Sequence, residues 1–303
     1  HPPTDAVSNG RRAPNGPWSD SLTTNGPLEQ RGLDRVWVRV RYSGAMGTFT
    51  NSIATVGADH RIYIQDPAGS RKMEVTAGLS EETFEWPAWA PDGRRLAFVA
   101  RGRDQQGQPS AALYIADLGI GEPMLLYRQA GTRPFYFSWS PDGRRIAFLA
   151  ERQGGLGLFT ISSDDPGNAS LRLEGMPLFF SWAPVGAELL VHIGGIYRMN
   201  PRAYLGRYKV ATGELIRLPV PPAAIEASSW SPDGRRMLLA AATKSGAAVL
   251  SAGLDGSVTL LTEFAGRAGF LWSPKGTHVA GATGTGQEGR IFEAQPGVTL
   301  GFR

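Results

Sequence analysis

The sequence is most informative at first in what it lacks. It has no cysteine, which excludes disulfides, thiolate metal sites and cysteine nucleophiles. No run of 18 apolar residues occurs, so no segment reads as a membrane-spanning helix. No G-x-S-x-G nucleophile turn is present, and without it an α/β-hydrolase serine site has no seat. Four histidines, His1, His60, His192 and His278, stand far apart and in no metal-ligand spacing. Lysine is scarce: Lys72, Lys209, Lys244 and Lys275 are the only four among 31 basic residues, so arginine carries the positive charge. A net charge of +4 is too small for a dedicated nucleic-acid binder. No cofactor motif is found, and no cofactor is expected.

Against these absences stand 39 glycines, 22 prolines and 8 tryptophans. Five tryptophans mark a repeat. Trp89 opens W-A-P-D-G-R-R-L-A-F-V-A, Trp139 opens W-S-P-D-G-R-R-I-A-F-L-A, and Trp230 opens W-S-P-D-G-R-R-M-L-L-A-A. Looser copies begin at Trp182 (W-A-P-V-G) and Trp272 (W-S-P-K-G). Successive tryptophans are 50, 43, 48 and 42 residues apart. A repeat of that length built from short strands signals a propeller or a comparable array.

Each copy reads as a hairpin. Proline presets φ for a turn, aspartate caps it, and glycine takes the left-handed position that lets the chain return. The strand that follows is almost wholly apolar, as a strand covered on both faces must be. Four such strands per unit fill residues 34–303. The expected fold is therefore all-β: a six-bladed β-propeller of four-stranded antiparallel blades, preceded by an extended N-terminal arm. The first blade, expected from strands at 34–42, 51–57, 61–66 and 71–77, lacks the tryptophan signature. The sixth is expected to end with a strand at 298–303.

Residues 1–33 are rich in Pro, Gly, Asn, Ser and Thr, with turn pieces such as Asn15-Gly16-Pro17 and Asn25-Gly26-Pro27. Nothing in them repeats with a strand or helix period, and alone they lack the apolar content to fold. Trp18, Leu22 and Leu28 are the candidate anchors by which this arm meets the propeller or another chain. The chain begins at His1 rather than Met, which a removed signal peptide would explain.

The W-S-P-D-G-R-R copies resemble the repeat of TolB-type β-propellers, with the best matches at Trp89, Trp139 and Trp230. The resemblance covers residues 34–303. It implies an extracytoplasmic, non-enzymatic scaffold of the bacterial envelope, bound to protein partners as an accessory subunit. Related propellers also cap serine peptidases of the prolyl-oligopeptidase type. An alternative is a ligand-binding or metal-dependent hydrolytic propeller with its site at the axial channel mouth, where Asp34, Glu85 and Glu226 are the acidic candidates.

Loops on a rigid scaffold are where partners bind. The longest connections expected are 101–110, 151–155 and 194–207. The last contributes Tyr197, Arg198, Met199, Arg202, Tyr204 and Arg207 as candidate partner-binding residues, since Tyr, Arg and Met are enriched in interface cores. The arginine pairs at 94–95, 144–145 and 235–236 repeat on one rim. They serve local charge pairing with the turn aspartates or present a basic rim to an acidic protein or lipid headgroups. Hetero-complex formation with protein is expected, nucleic acid is not, and membrane-surface association stays open.

Overall fold

A computed structural model describes residues 38–39, 52–69, 71–119, 121–194, 203–223, 228–243, 246–285 and 288–294. No helix occurs among them, and so none is long and apolar enough to cross a membrane. The strands form six consecutive antiparallel sheets. The first holds β1 (Val38–Arg39), β2 (Ile53–Val56), β3 (Ile62–Gln65) and β4 (Lys72–Glu74). The second holds β5 (Thr83–Trp89), β6 (Arg95–Arg103), β7 (Pro109–Asp117) and β8 (Met124–Tyr127). The third holds β9 (Arg133–Trp139), β10 (Arg145–Arg152), β11 (Gly155–Ser162) and β12 (Ser170–Gly175). The fourth holds β13 (Leu178–Trp182), β14 (Glu188–Ile193), β15 (Tyr204–Lys209) and β16 (Leu215–Arg217). The fifth holds β17 (Ser229–Trp230), β18 (Arg236–Ala242), β19 (Ala247–Gly253) and β20 (Val258–Phe264). The sixth holds β21 (Arg267–Trp272), β22 (Val279–Thr285) and β23 (Glu288–Ala294). The strand expected at 298–303 lies outside the described residues.

Each sheet is a simple meander, and in the second to fifth sheets the second strand is buried on both faces. The reason is visible in β6. Leu96, Phe98 and Ala100 pack against Ala54, Ile62 and Ile64 of the first sheet. Ala97 and Val99 point the other way, into a cluster with Phe137, Trp139, Ile146 and Phe148 of the third. Successive side chains of a strand alternate between faces, so a strand stacked between two sheets must be apolar at every position. The same partition holds in β10, where Ile146 and Phe148 face the second sheet and Ala147 and Leu149 the fourth. In β18, Met237 and Leu239 face the fourth sheet and Leu238 and Ala240 the sixth. Among the described residues the core is thus five clusters, one at each junction between consecutive sheets.

Two expected loops are tighter than the sequence suggests. Arg101–Arg103 and Pro109–Ser110 continue β6 and β7, so the connection is the turn around Asp104–Gln108. Asp104 Oδ1 accepts the N–H groups of Gln106 (2.9 Å) and Gln108 (2.8 Å) there. β10 and β11 are joined by Gln153 and Gly154 alone. Polar strand ends of this kind project past the core, so the apolar pattern stops while backbone pairing goes on. In the fourth sheet, β15 starts at Tyr204 and pairs with Ile193, so 204–207 is strand and not loop.

Candidate interaction surface

The five W-x-P-x-G turns join first to second strands and so lie on one face of the stacked sheets. In the third sheet, Asp142 Oδ1 accepts the Ser140 hydroxyl (2.6 Å) and the Arg144 N–H (3.0 Å). The Ser140 hydroxyl in turn accepts the Arg145 N–H (2.9 Å). The Ser140 hydroxyl holds the Asp142 carboxyl below the ordinary value of 3.8. The fifth sheet repeats this arrangement with Ser231, Asp233, Arg235 and Arg236. In the second sheet Ala90 replaces the serine, and Asp92 Oδ1 itself accepts the Arg95 N–H (3.1 Å).

The turns also lean on one another. Gly143 has φ +67, and a Cβ there would sit 3.1 Å from Arg95 Nη2 and 3.6 Å from Pro91 Cδ of the preceding turn. At Gly234, φ +69, a Cβ would meet Val185 Cγ2 at 2.8 Å. Glycine is needed both for the left-handed backbone and for this close approach. The tryptophans tie the sheets further in: Trp139 Nε1 donates to Ala88 O (3.1 Å) and Trp182 Nε1 to Ser138 O (3.1 Å).

Arginine latches one junction across the face. Arg95 is held by Asp92 (2.7 Å), donates to Gly143 O (2.7 Å) and Ser163 Oγ (2.9 Å) of the next sheet, and lies 5.0 Å over the Trp139 ring. The turn aspartate and arginine therefore do more than pair locally. In the fourth sheet the turn departs from the pattern: Val185 stands where the second, third and fifth sheets have Asp, and Glu188 where they have the second Arg. Arg207 of β15 compensates. Its Nε and Nη2 donate to Glu188 Oε2 (3.0 and 2.7 Å), and its guanidinium lies 6.0 Å over Trp230 of the fifth sheet.

That exchange leaves an apolar cleft of about 350 Å3 between the fourth and fifth turns. Ala183, Ala187, Trp230 and Leu254 line it beside Val185, with Arg207 and Lys209 at its edge. Val185 is 63% exposed and Leu254 47%. Neither was anticipated from the sequence. Valine at a turn position that carries Asp in the copies at Trp89, Trp139 and Trp230 is the signal that pointed there.

The residues anticipated from the sequence are dispersed. Tyr204 is half-buried in β15 with the Arg217 guanidinium 4.3 Å over its ring, and burial raises its hydroxyl pKa. Arg207 borders the cleft. Tyr197, Arg198, Met199, Arg202, Trp18, Leu22 and Leu28 lie outside the described residues, as do Asp34, Glu226 and His1. Glu85 is bound by Arg101 Nε (2.7 Å), beside a bulge that turns Trp86 outward at φ +54. His192 is buried with Nε2 2.9 Å from Gly194 O, and His278 Nδ1 meets Thr277 Oγ1 at 2.9 Å. Among the described residues no three His, Asp or Glu side chains gather as a metal site would require.

No family model matches the sequence. The structure is similar to that of TolB from Acinetobacter baumannii, with TM-score 0.51 and 22% identity, covering 82% of this chain and 62% of that one. It is similar to puromycin hydrolase, an S511A mutant complexed with PGG, with TM-score 0.61 and 18% identity over 86% of this chain and 43% of that one. It is also similar to the β-propeller domain of the Trilobed protease from Pyrococcus furiosus, with TM-score 0.53 and 14% identity, over 80% and 78%. The chain thus spans less than two thirds of that TolB and less than half of the hydrolase. At these identities the likeness shows the fold, a β-propeller, in accord with the TolB-type repeat read from the sequence.

Proposed function

On the premise of a TolB-like β-propeller, we propose that this protein is a non-enzymatic, extracytoplasmic scaffold that joins a larger envelope assembly by binding protein. In this reading residues 34–303 form six blades and residues 1–33 an arm that adds contacts, together with the 194–203 segment. One observation carries the reading: exposed Val185 and Leu254 flank an apolar cleft on a face made rigid by stacked turns. Exposed apolar side chains around a pocket, rimmed by charge, are the anatomy of a contact surface.

The test is site-specific photo-cross-linking in cells of the source organism. Benzoylphenylalanine replaces Val185 or Leu254, with exposed Met124 and Leu171 as control positions. The scaffold reading expects one discrete protein adduct at 185 and 254 and none at the controls. No adduct, or the same smear at all four positions, refutes it.

The likeness to puromycin hydrolase supports a second reading, in which the propeller is one part of a hydrolytic protein. The 303 residues carry no G-x-S-x-G sequence. Turnover of puromycin by this chain alone would favour that second reading over the first.

A further inference from the structure

On the face opposite the tryptophan turns, where second strands turn into third, the second sheet carries a polar cavity of about 210 Å3 beside the connection from β4 to β5. That connection is pinned. Arg61 Nη1 donates to Thr76 O (3.2 Å) and Leu79 O (3.0 Å), and the Glu82 N–H donates to Arg101 O (3.0 Å). Glu81 is thereby held against the sheet, with its side chain only 11% exposed. Its Oε1 accepts both the Tyr114 hydroxyl (2.5 Å) and Arg128 Nη2. Burial raises the carboxyl pKa, but Tyr114, the residue's own N–H and Arg128 together hold it below the ordinary 4.5, so Glu81 is ionised at neutral pH. Its Oε2 accepts no hydrogen bond from another described residue. The cavity floor is bare: Gly102 lies inside β6 opposite Ser110 of β7, and Ala111 and Ala112 follow. A Cβ on Gly102 would stand between 3.7 and 3.9 Å from Glu82 N and from Glu81 Cα and Cγ, so crowding does not demand glycine there. What glycine leaves in a strand is room for close approach.

We propose that this cavity binds a small α-amino acid, with the ligand's ammonium on Glu81 Oε2 and its carboxylate on Arg103 and Arg128. The wall carries both signs in equal number, Glu81 and Glu82 against Arg103 and Arg128. A ligand that carries both signs matches all of it, whereas a simple cation or anion matches half. Neither arginine is used up. Arg128 gives Nη2 to Glu81 and to the Tyr114 hydroxyl (3.2 Å), and Arg103 gives Nη1 to Gly107 O (2.9 Å), so each guanidinium keeps further N–H groups. Glu82 stands 3.8 Å from Arg103 Nε with both side chains 64% exposed, a weak pair at the rim that yields to a ligand. The volume lies below the usual range of about 300–1,000 Å3 for ligand pockets, which suits a molecule of few heavy atoms. The site is on the other face from Val185 and does not depend on the scaffold reading.

The test is isothermal titration calorimetry of the full chain with glycine, L-alanine and L-serine. Glycolate, which lacks the ammonium, and methylamine, which lacks the carboxylate, are the incomplete ligands. At least one amino acid is expected to bind, and each incomplete ligand should bind at least about ten-fold more weakly, the scale of one charge-assisted hydrogen bond. Glu81→Gln removes the buried charge but keeps an amide oxygen for Tyr114 and Arg128. Gly102→Val fills the cavity and removes no polar group. Each should lower affinity at least about ten-fold with the circular dichroism spectrum unchanged. No heat from any of the three amino acids, equal binding of glycolate or methylamine, or full affinity in a folded Gly102→Val protein overturns the proposal.

Discussion

Arg207 distinguishes a latch from a contact residue, and a double-mutant cycle decides between them. The perturbations are Glu188→Gln, Arg207→Met and the pair together. Methionine keeps the apolar stem over Trp230 while removing the charge. The two side chains are only 19% and 21% exposed, and both guanidinium donors reach the same carboxylate oxygen. An exposed pair contributes 0–1 kcal/mol, whereas hydrogen bonds to charged groups contribute about 1.5–3 kcal/mol. Burial of this degree places the coupling near 1.5–2 kcal/mol. Urea unfolding of the four proteins gives the coupling as the departure from additivity. Lys209–Glu214, at 38% and 52% exposure, is the internal control and should couple by less than about 1 kcal/mol. A Glu188–Arg207 coupling below about 0.5 kcal/mol, no larger than the control, would refute the latch and return Arg207 to the partner-binding set.

Three further outcomes follow from the same geometry. Trp139→Phe removes the indole N–H that Ala88 O accepts, while Trp230→Phe removes a buried indole N–H that has no partner. Both lose similar packing, so Trp139→Phe should cost about 1–3 kcal/mol more in urea unfolding; equal costs would refute the inter-sheet bond. Gly143→Ala should destabilise more than Gly107→Ala. Both have positive φ, but only at Gly143 does the new methyl press on Arg95 and Pro91. Each left-handed alanine costs about 1–2 kcal/mol, and thermal unfolding reads the difference between the two. Asp142 and Asp233 are held below 3.8, by the Ser140 and Ser231 hydroxyls first and then by backbone N–H groups. Their folded values are depressed, so their contribution is complete above the unfolded value and is lost as pH falls through the folded one. Midpoints should be flat from pH 7 to 5 and fall below about pH 4, and Ser140→Ala should reduce that slope.

The sheet order was legible because the second to fifth sheets each hide their second strand on both faces. L-A-F-V-A, I-A-F-L-A and M-L-L-A-A carry the same burial in the sequence as in the structure. The turns were legible because proline and glycine commit the backbone locally. Strand ends at Arg101–Arg103 and Pro109–Ser110 were not, since they lie beyond the core and leave no apolar period. Arg207 was misplaced for a related reason: an arginine after an irregular stretch reads as a loop residue until its acceptor is known.

The sequence by itself determined the β-propeller repeat, the order of its sheets and the break in the turn of the fourth copy. These rest on interactions between residues close along the chain, or on a two-residue alternation that needs no distant partner. Tertiary structure alone decided what the broken copy does. Glu188, Arg207 and Trp230 come from three strands of two sheets, and Val185 and Leu254, 69 residues apart in sequence, line one cleft. Contacts of that separation have no local signature. They exist because stacking brings neighbouring turns within van der Waals reach, where the loss of one aspartate opens a cleft that a distant arginine then borders.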